Sequence, residues 1–250
     1  MIDTLGLILL LVYLCCMVLF AQFKGDTSIV NFTWGGGVML VALYTFFASS
    51  TFLARQIILT TMLILWALRL IVFLFMRYTG KDPRFVLWKW QGLKALVINV
   101  VWVFGQTIMI AVMSYPVFLV NTNNHIRGLT WIDFVGGLIW TVGFWYEAMG
   151  DYQLFVFMQN LSNKGRVMRF GLWRYCRHPN YFGESLMWWG VGCLALSLPY
   201  GWIALAAPVV ITFLMVFVTG IPWIEKAMAC NPEYQEYQKS TSKFIPWFPK

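Results

Sequence analysis

The sequence predicts an all-α integral membrane bundle of about seven transmembrane helices, on three observations. Apolar residues (AVILMFWYC) make up 60% of the 250, whereas soluble domains run at about 45–50% even with Gly included. Only 11% of the residues are charged, so the excess falls into long runs of the ~20 residues that a helix needs to cross a bilayer. The Lys and Arg residues gather in alternate loops between those runs, as they do in polytopic membrane proteins. A water-soluble globule is excluded, and seven spans leave no room for a separate soluble domain.

The runs fall at 4–22, 30–50, 56–76, 95–119, 131–150, 184–198 and 201–222. No basic residue precedes the first apolar stretch, so it reads as a retained span and not as a cleaved signal. Lys24 follows the first run and Arg55 the second, while Arg77, Lys81, Arg84, Lys89 and Lys94 follow the third. Arg127 alone follows the fourth; Lys164, Arg166, Arg169, Arg174 and Arg177 follow the fifth. None follows the sixth, and Lys226, Lys239, Lys243 and Lys250 lie in the tail.

One set of loops thus holds 15 basic residues and the other 2, with Arg69 left inside the third run. Basic loops stay cytoplasmic, so the N-terminus is expected outside and the C-terminus inside. Segments 151–184 and 223–250 are then cytoplasmic, and the chain is read as one polytopic membrane domain, multi-pass in a bacterial inner membrane or the endoplasmic reticulum. The net charge of +8 is a topology signal that needs no nucleic acid to explain it. Membrane lipids are the expected surroundings, and oligomeric state is left open.

Five cysteines without a C-x-x-C pair, and two well-separated histidines, offer neither a disulfide framework nor a metal site. Gly35, Gly36 and Gly37 lack the strand-to-helix setting of a phosphate loop and fit close helix packing. Trp34, Trp131, Trp140, Trp223 and Trp247 near span ends suit an interfacial belt.

Four ionisable residues stand in or at the edge of apolar runs: Arg69, Glu147, Asp151 and Glu184. Such groups cost a few kcal/mol in a bilayer and face protein or a cavity. Glu147 and Asp151 are four apart and share one helix face. The pair could hold a proton, orient a cofactor or simply meet arginines at the membrane boundary. Glu184 opens the sixth run, where the helix dipole alone also favours an anion.

The stretch NKGRVMRFGLWRYCRHPNYFGE, residues 163–184, is the most informative. Its arginines can hold phosphates through paired donors, and its aromatic faces can stack an adenine or nicotinamide. Asn180 carries both donor and acceptor for a carboxamide. Pro179 and Gly183 are expected to break helix here and leave backbone groups facing a ligand.

At these residues the chain resembles the membrane family of steroid 5-alpha-reductases and sterol double-bond reductases. It most resembles the branch known as DUF1295, with GLWRY-x-RHPNYFGE at Gly171–Glu184, NKG at Asn163–Gly165 and D-x-x-L at Asp151–Leu154. An EYQ-like segment from Glu233, F-I-P-W at Phe244–Trp247, WALRL and RYTGKDPRF at 77–85 are similar too. The resemblance implies an NADPH-dependent oxidoreductase that reduces a carbon–carbon double bond of a lipid or sterol-like substrate entering from the bilayer.

It implies that Asp151, Asn180 and Glu184 line the cofactor site, with Asn163, Arg166, Trp173, Arg174, Arg177, His178 and Tyr181 in the shared segment. Lys164 and Arg169 are further cations for a 2′-phosphate. Glu147, Tyr146 and Tyr152 are the candidate catalytic donors, to a developing oxyanion or to the reduced bond. The chain departs from the 5-alpha-reductases at Trp66, where they carry tyrosine, and at Met158, where they carry a basic residue. It also has no early Gln-Glu pair, so steroid specificity is not implied.

The R-H-P-x-Y-x-G core is also similar to isoprenylcysteine carboxyl methyltransferases, which implies S-adenosylmethionine as an alternative cofactor. A non-catalytic lipid-binding protein is the third reading.

Overall fold

The computed structural model describes residues 4–24, 29, 31–77, 93–123 and 128–249. Side chains of 93–96 are outside that description, as are the RYTGKDPRF stretch beyond Arg77 and the loop cations Lys81, Arg84, Lys89, Lys94 and Arg127. Among the described residues the secondary structure is helical, with no strand. The chain divides into two compact units, residues 1–129 with 198–204, and residues 130–197 with 205–250.

The first unit holds α1 (Thr4–Lys24), α2 (Phe32–Ser49), α3 (Ala54–Arg77), α4 (Leu93–Met113) and α5 (Tyr115–Thr122). Helices α1 to α3 are each long and apolar enough to cross a membrane. Helix α1 shows why: Leu10 and Leu14 are buried while Leu5, Ile8 and Val12 are exposed, so it is apolar all round. A helix of that kind suits lipid on its outer face. Gly37 lets α2 approach closely, since a methyl there would meet Ile110 at 2.7 Å and Leu10 at 3.5 Å.

The expected span 95–119 is a bent pair, α4 and α5, meeting at 49°. Ser114 alone separates the two helices, and Pro116 in the first turn of α5 starts the new axis. Polar groups inside this unit are matched to one another. Gln56 donates to the Asn121 carbonyl at 2.9 Å, and Asn121 donates to Thr45 at 2.9 Å. Arg69, half-buried on α3, belongs to this unit.

The second unit holds α6 (Trp131–Gln159), α7 (Pro179–Ala195), α8 (Ala206–Phe213), α9 (Ile221–Met228) and α10 (Pro232–Ser240). Thr130 and Asp133 close a capping box that starts α6, with the Thr130 amide 2.6 Å from the Asp133 carboxylate. The helix runs nine residues past the expected end of the fifth span, to Gln159. Its end is tied by Asn163, whose amide donates to the Phe157 carbonyl at 2.9 Å.

Helix α7 runs against α6 along paired glycines. A methyl on Gly136 would meet the Gly190 carbonyl at 2.8 Å, and one on Gly143 would meet the Gly183 carbonyl at 2.7 Å. Gly150 comes within 3.1 Å of the Asn180 amide by the same measure. Small residues at such a seam let backbones touch, the packing favoured between helices in lipid.

The expectation that Pro179 and Gly183 break helix is therefore corrected. Pro179 occupies the first helical turn, where its missing N–H costs nothing. Gly183 sits inside α7 because only a residue without Cβ fits against α6 there.

The stretch Gly201–Met228 is also long and apolar enough to span, though it is assembled from a 3₁₀ turn at Gly201–Leu205, α8, a π-helical turn at Leu214–Val218 and α9. Among the described residues, four helical stretches thus qualify as spans, or five if the α4–α5 pair is one. The chain has the architecture of a membrane protein. The runs 131–150 and 184–198 lie on α6 and α7, which are outside that set. Helix α6 mixes glycines, Asp133 and Glu147 into its apolar stretch, and α7 has only 17 residues.

Candidate functional site

All of the site residues expected from the sequence lie in the second unit. Glu147 and Asp151 sit one turn apart on the buried face of α6, at 3% and 5% exposure. The glycine seam places the first turn of α7 beside them. There the Asn180 amide donates to Asp151 Oδ1 at 3.1 Å. Its other polar atom, Asn180 Oδ1, is buried and has no hydrogen-bond partner among the described residues. An orphaned carbonyl oxygen in a protein interior carries a desolvation penalty that an incoming donor would remove.

Tyr146 is half-buried with its ring edge-on to Phe182, centroids 5.5 Å apart. Tyr152 points away, 62% exposed. Asn163 is occupied in tying down the end of α6. Glu184 and Tyr181 are half-buried on α7.

The 3₁₀ turn Gly171–Arg174 follows, and Gly171 carries the positive φ of 60° that opens it. Trp173 is buried, its indole donating to the Gly150 carbonyl at 3.0 Å. Gln153 on α6 accepts from the Leu172 amide at 3.0 Å. Arg174 and Arg166 are left exposed.

The next three residues are held by the C-terminal tail. The Arg177 amide donates to the Ser242 carbonyl at 2.8 Å, and the Cys176 thiol meets the Phe244 carbonyl at 2.8 Å. Burial pushes that thiol up to about 12. Tyr237 donates to the Trp173 carbonyl and is itself pushed well above the usual phenol range by burial.

The sequence reading missed Glu225. Its Oε1 receives both Arg177 Nη2 at 3.1 Å and His178 Nε2 at 3.4 Å. His178 is buried and stacks on Tyr181 at 5.9 Å. Burial holds its imidazole below the ordinary histidine value, against the pull of Glu225. Arg177 Nε is buried with no hydrogen-bond partner among the described residues. The signal for Glu225 was present in the sequence, as a lone carboxylate at the end of an apolar run.

Arg169, expected as a phosphate partner, is paired with Glu233 at 2.7 Å. That guanidinium holds the Glu233 carboxyl below its usual value. No group of three or more His, Cys, Asp or Glu that could hold a metal occurs among the described residues.

What results is a part-buried amide–carboxylate pair, Asn180 and Asp151, flanked by an aromatic layer and a basic, tail-braced turn. It can orient a neutral polar group that both donates and accepts. The sequence model of one family, described as "Protein of unknown function (DUF1295)", matches residues 17–241. No curated protein and no solved structure matches the chain.

Proposed function

The chain belongs to the DUF1295 family, and from that membership we propose that it is a membrane-embedded NADPH-dependent reductase of a carbon–carbon double bond in a lipid or sterol-like molecule. The proposal includes the steroid- and sterol-reductase-like branch of the family, with seven spans and the C-terminus in the cytoplasm. The membrane would be a bacterial inner membrane or the endoplasmic reticulum.

The observation that supports it best is Asn180. Its Nδ2 is committed to Asp151 while Oδ1 is buried and unmatched. A carboxamide such as that of nicotinamide offers the N–H this oxygen lacks. The residues present therefore fit the cofactor at this point: Asp151 fixes the Asn180 amide, and Asn180 would fix the plane of the ring. Arg166 and Arg174, both exposed, would meet its phosphates.

When bound, NADPH supplies the hydride. The chain's own part is to exclude water, hold the ring and deliver a proton to the neighbouring carbon. Glu147 is buried one turn from Asp151, and Tyr146 sits beside Phe182. Both are better placed to donate than the exposed Tyr152.

One observation favours a second reading. Glu233 and Glu225 already neutralise Arg169 and Arg177, which leaves fewer cations for phosphate. S-adenosylmethionine has no phosphate, so a membrane methyltransferase is the alternative.

The test is a thermal-shift titration of the full chain in detergent with NADPH, NADH and S-adenosylmethionine in parallel. A ligand that binds only the folded state stabilises it, by about 2.7 kcal/mol at a hundredfold excess over Kd. Stabilisation by NADPH, lost in Asn180→Ala, is expected. Stabilisation by S-adenosylmethionine alone would overturn the reductase. No response to any of the three would leave a lipid-binding protein in its place.

A further inference from the structure

Large apolar side chains belong inside a protein or against another apolar phase, yet the C-terminal strap of the second unit carries several of them outward. Ile245, Trp247 and Phe248 are each more than 60% exposed. They are not loose. The Trp247 amide donates to the Tyr175 carbonyl at 2.9 Å, and the Phe248 ring stands edge-on to Tyr175 at 6.1 Å. One residue before Ile245, Phe244 turns the other way, its ring against Phe182 at 5.7 Å and its carbonyl on the Cys176 thiol.

The backbone pins thus divide the strap, one side chain inward and three outward, with Tyr175 completing the outer patch. Phe170, exposed at the start of the same turn, adds to it in sequence. A contiguous exposed patch of this kind marks an interaction surface.

The charges beside it are mostly positive. Arg174 is exposed next to Tyr175, and Lys239 and Lys243 lead into Ile245. The tail has three carboxylates, Glu225, Glu233 and Glu236. Two of them are consumed by Arg177 with His178 and by Arg169. Only Glu236 stays exposed without an ion pair of its own among the described residues.

Place decides between the surfaces that such a patch could meet. The strap follows α10, and α9 just before that helix is the last part of the candidate span Gly201–Met228. Through Glu225, α9 is hydrogen-bonded to the turn that carries Tyr175. Trp223, exposed in the first turn of α9 towards the end of that span, suits an aromatic belt.

From aromatics, cations and nearness to a span end together, we infer that Tyr175, Ile245, Trp247 and Phe248, with Arg174, Lys239 and Lys243, form a docking surface for anionic lipid headgroups of the membrane that holds the chain. The rings enter the interface and the cations meet the phosphates. The inference uses neither Asn180 nor Asp151 and shares only Arg174 with the reductase reading, so variants of the strap test it apart from the cofactor.

The experiment needs no variant to be decisive. The full chain is placed in nanodiscs of phosphatidylcholine alone and of phosphatidylcholine with phosphatidylglycerol, and hydrogen exchange is followed in peptides covering 239–249. Exchange should be slower in the phosphatidylglycerol discs, by about fivefold for each cation engaged. Lys239→Gln with Lys243→Gln should remove most of the lipid dependence. Ile245→Ser with Trp247→Ser and Phe248→Ser should remove the protection in both discs.

Equal exchange in the two lipids overturns the proposal. So does protection that appears only when two copies share a disc, which would make the patch an interface between copies of this chain.

Discussion

Gly183 on α7 lies backbone to backbone against Gly143 on α6: a methyl built on either would meet the other's carbonyl oxygen, at 2.6 and 2.7 Å. The relation is reciprocal, and no flexible side chain stands between to give way. Gly183→Ala must therefore push the two helices apart beside Glu147. Overpacking of that kind costs about 1–3 kcal/mol. The thermal midpoint of the purified protein should fall, whereas Gly137→Ala, on α6 with open space around it, should leave it unchanged or higher.

Asp151 orients Asn180 through one hydrogen bond. Asp151→Asn keeps the shape but loses the charge that fixes which end of the Asn180 amide faces outward. The loss of one such bond is worth about 1 kcal/mol. NADPH binding in the titration described above should weaken by about fivefold in this variant, with little change in the unliganded midpoint. A full loss of folding would assign the pair a structural role instead.

The two carboxylates of the tail should behave differently when removed. Glu225 holds Arg177 and His178, both nearly inaccessible to solvent. Removing one partner of a buried pair leaves a stranded charge, at about 3–5 kcal/mol. Glu233 pairs with Arg169 in the open, where such a bridge is worth about 0–1 kcal/mol. Unfolding of Glu225→Ala and Glu233→Ala in the same detergent should separate them clearly. Similar midpoints would contradict the burial argument.

His178 gives a pH dependence with a defined sign. Burial lowers its value in the folded state from the ordinary 6.5, with Arg177 and Lys243 adding to that and Glu225 opposing it. Below about pH 6.5 the unfolded chain takes up a proton that the folded one refuses. Stability is then lost as the pH falls from there, until the folded-state value is reached. His178→Gln should flatten that part of the stability profile, measured between pH 5 and 7.

Cysteine chemistry supplies a further check. Cys176 is fully buried with its thiol pushed up to about 12, while Cys230 is exposed. Thiolate is the reactive form. Maleimide at neutral pH should label Cys230 and spare Cys176 until the protein is unfolded, read by mass spectrometry of the peptides.

Much of this arrangement was visible in the sequence because lipid makes composition decisive. The apolar runs at 4–22, 30–50 and 56–76 reappear as α1 to α3 with small shifts at their ends. The conjunction of Asp151 with Asn180 followed from the motif and not from spacing, since 29 residues separate them. Pro179 and Gly183 misled because both residues usually interrupt helices, and only the facing backbone of α6 makes Gly183 a helical residue. Glu225 escaped notice because its partners lie 47 and 48 positions earlier, beyond the reach of any local pattern. Arg166 was expected as a phosphate partner from its charge, and charge cannot distinguish it from Arg169, which Glu233 occupies.

The glycines of the α6–α7 seam recur every seven residues, at 136, 143 and 150 on one helix and at 183 and 190 on the other. A repeat of that kind offers more than one alignment: sliding one helix by two turns would again set glycine against glycine. The backbones by themselves do not choose among these registers. The Asn180–Asp151 hydrogen bond does, because no other acidic residue stands seven places away from Asp151 on α6. The polar pair proposed to greet a cofactor is thus also the index mark by which two sliding helices know where to stop.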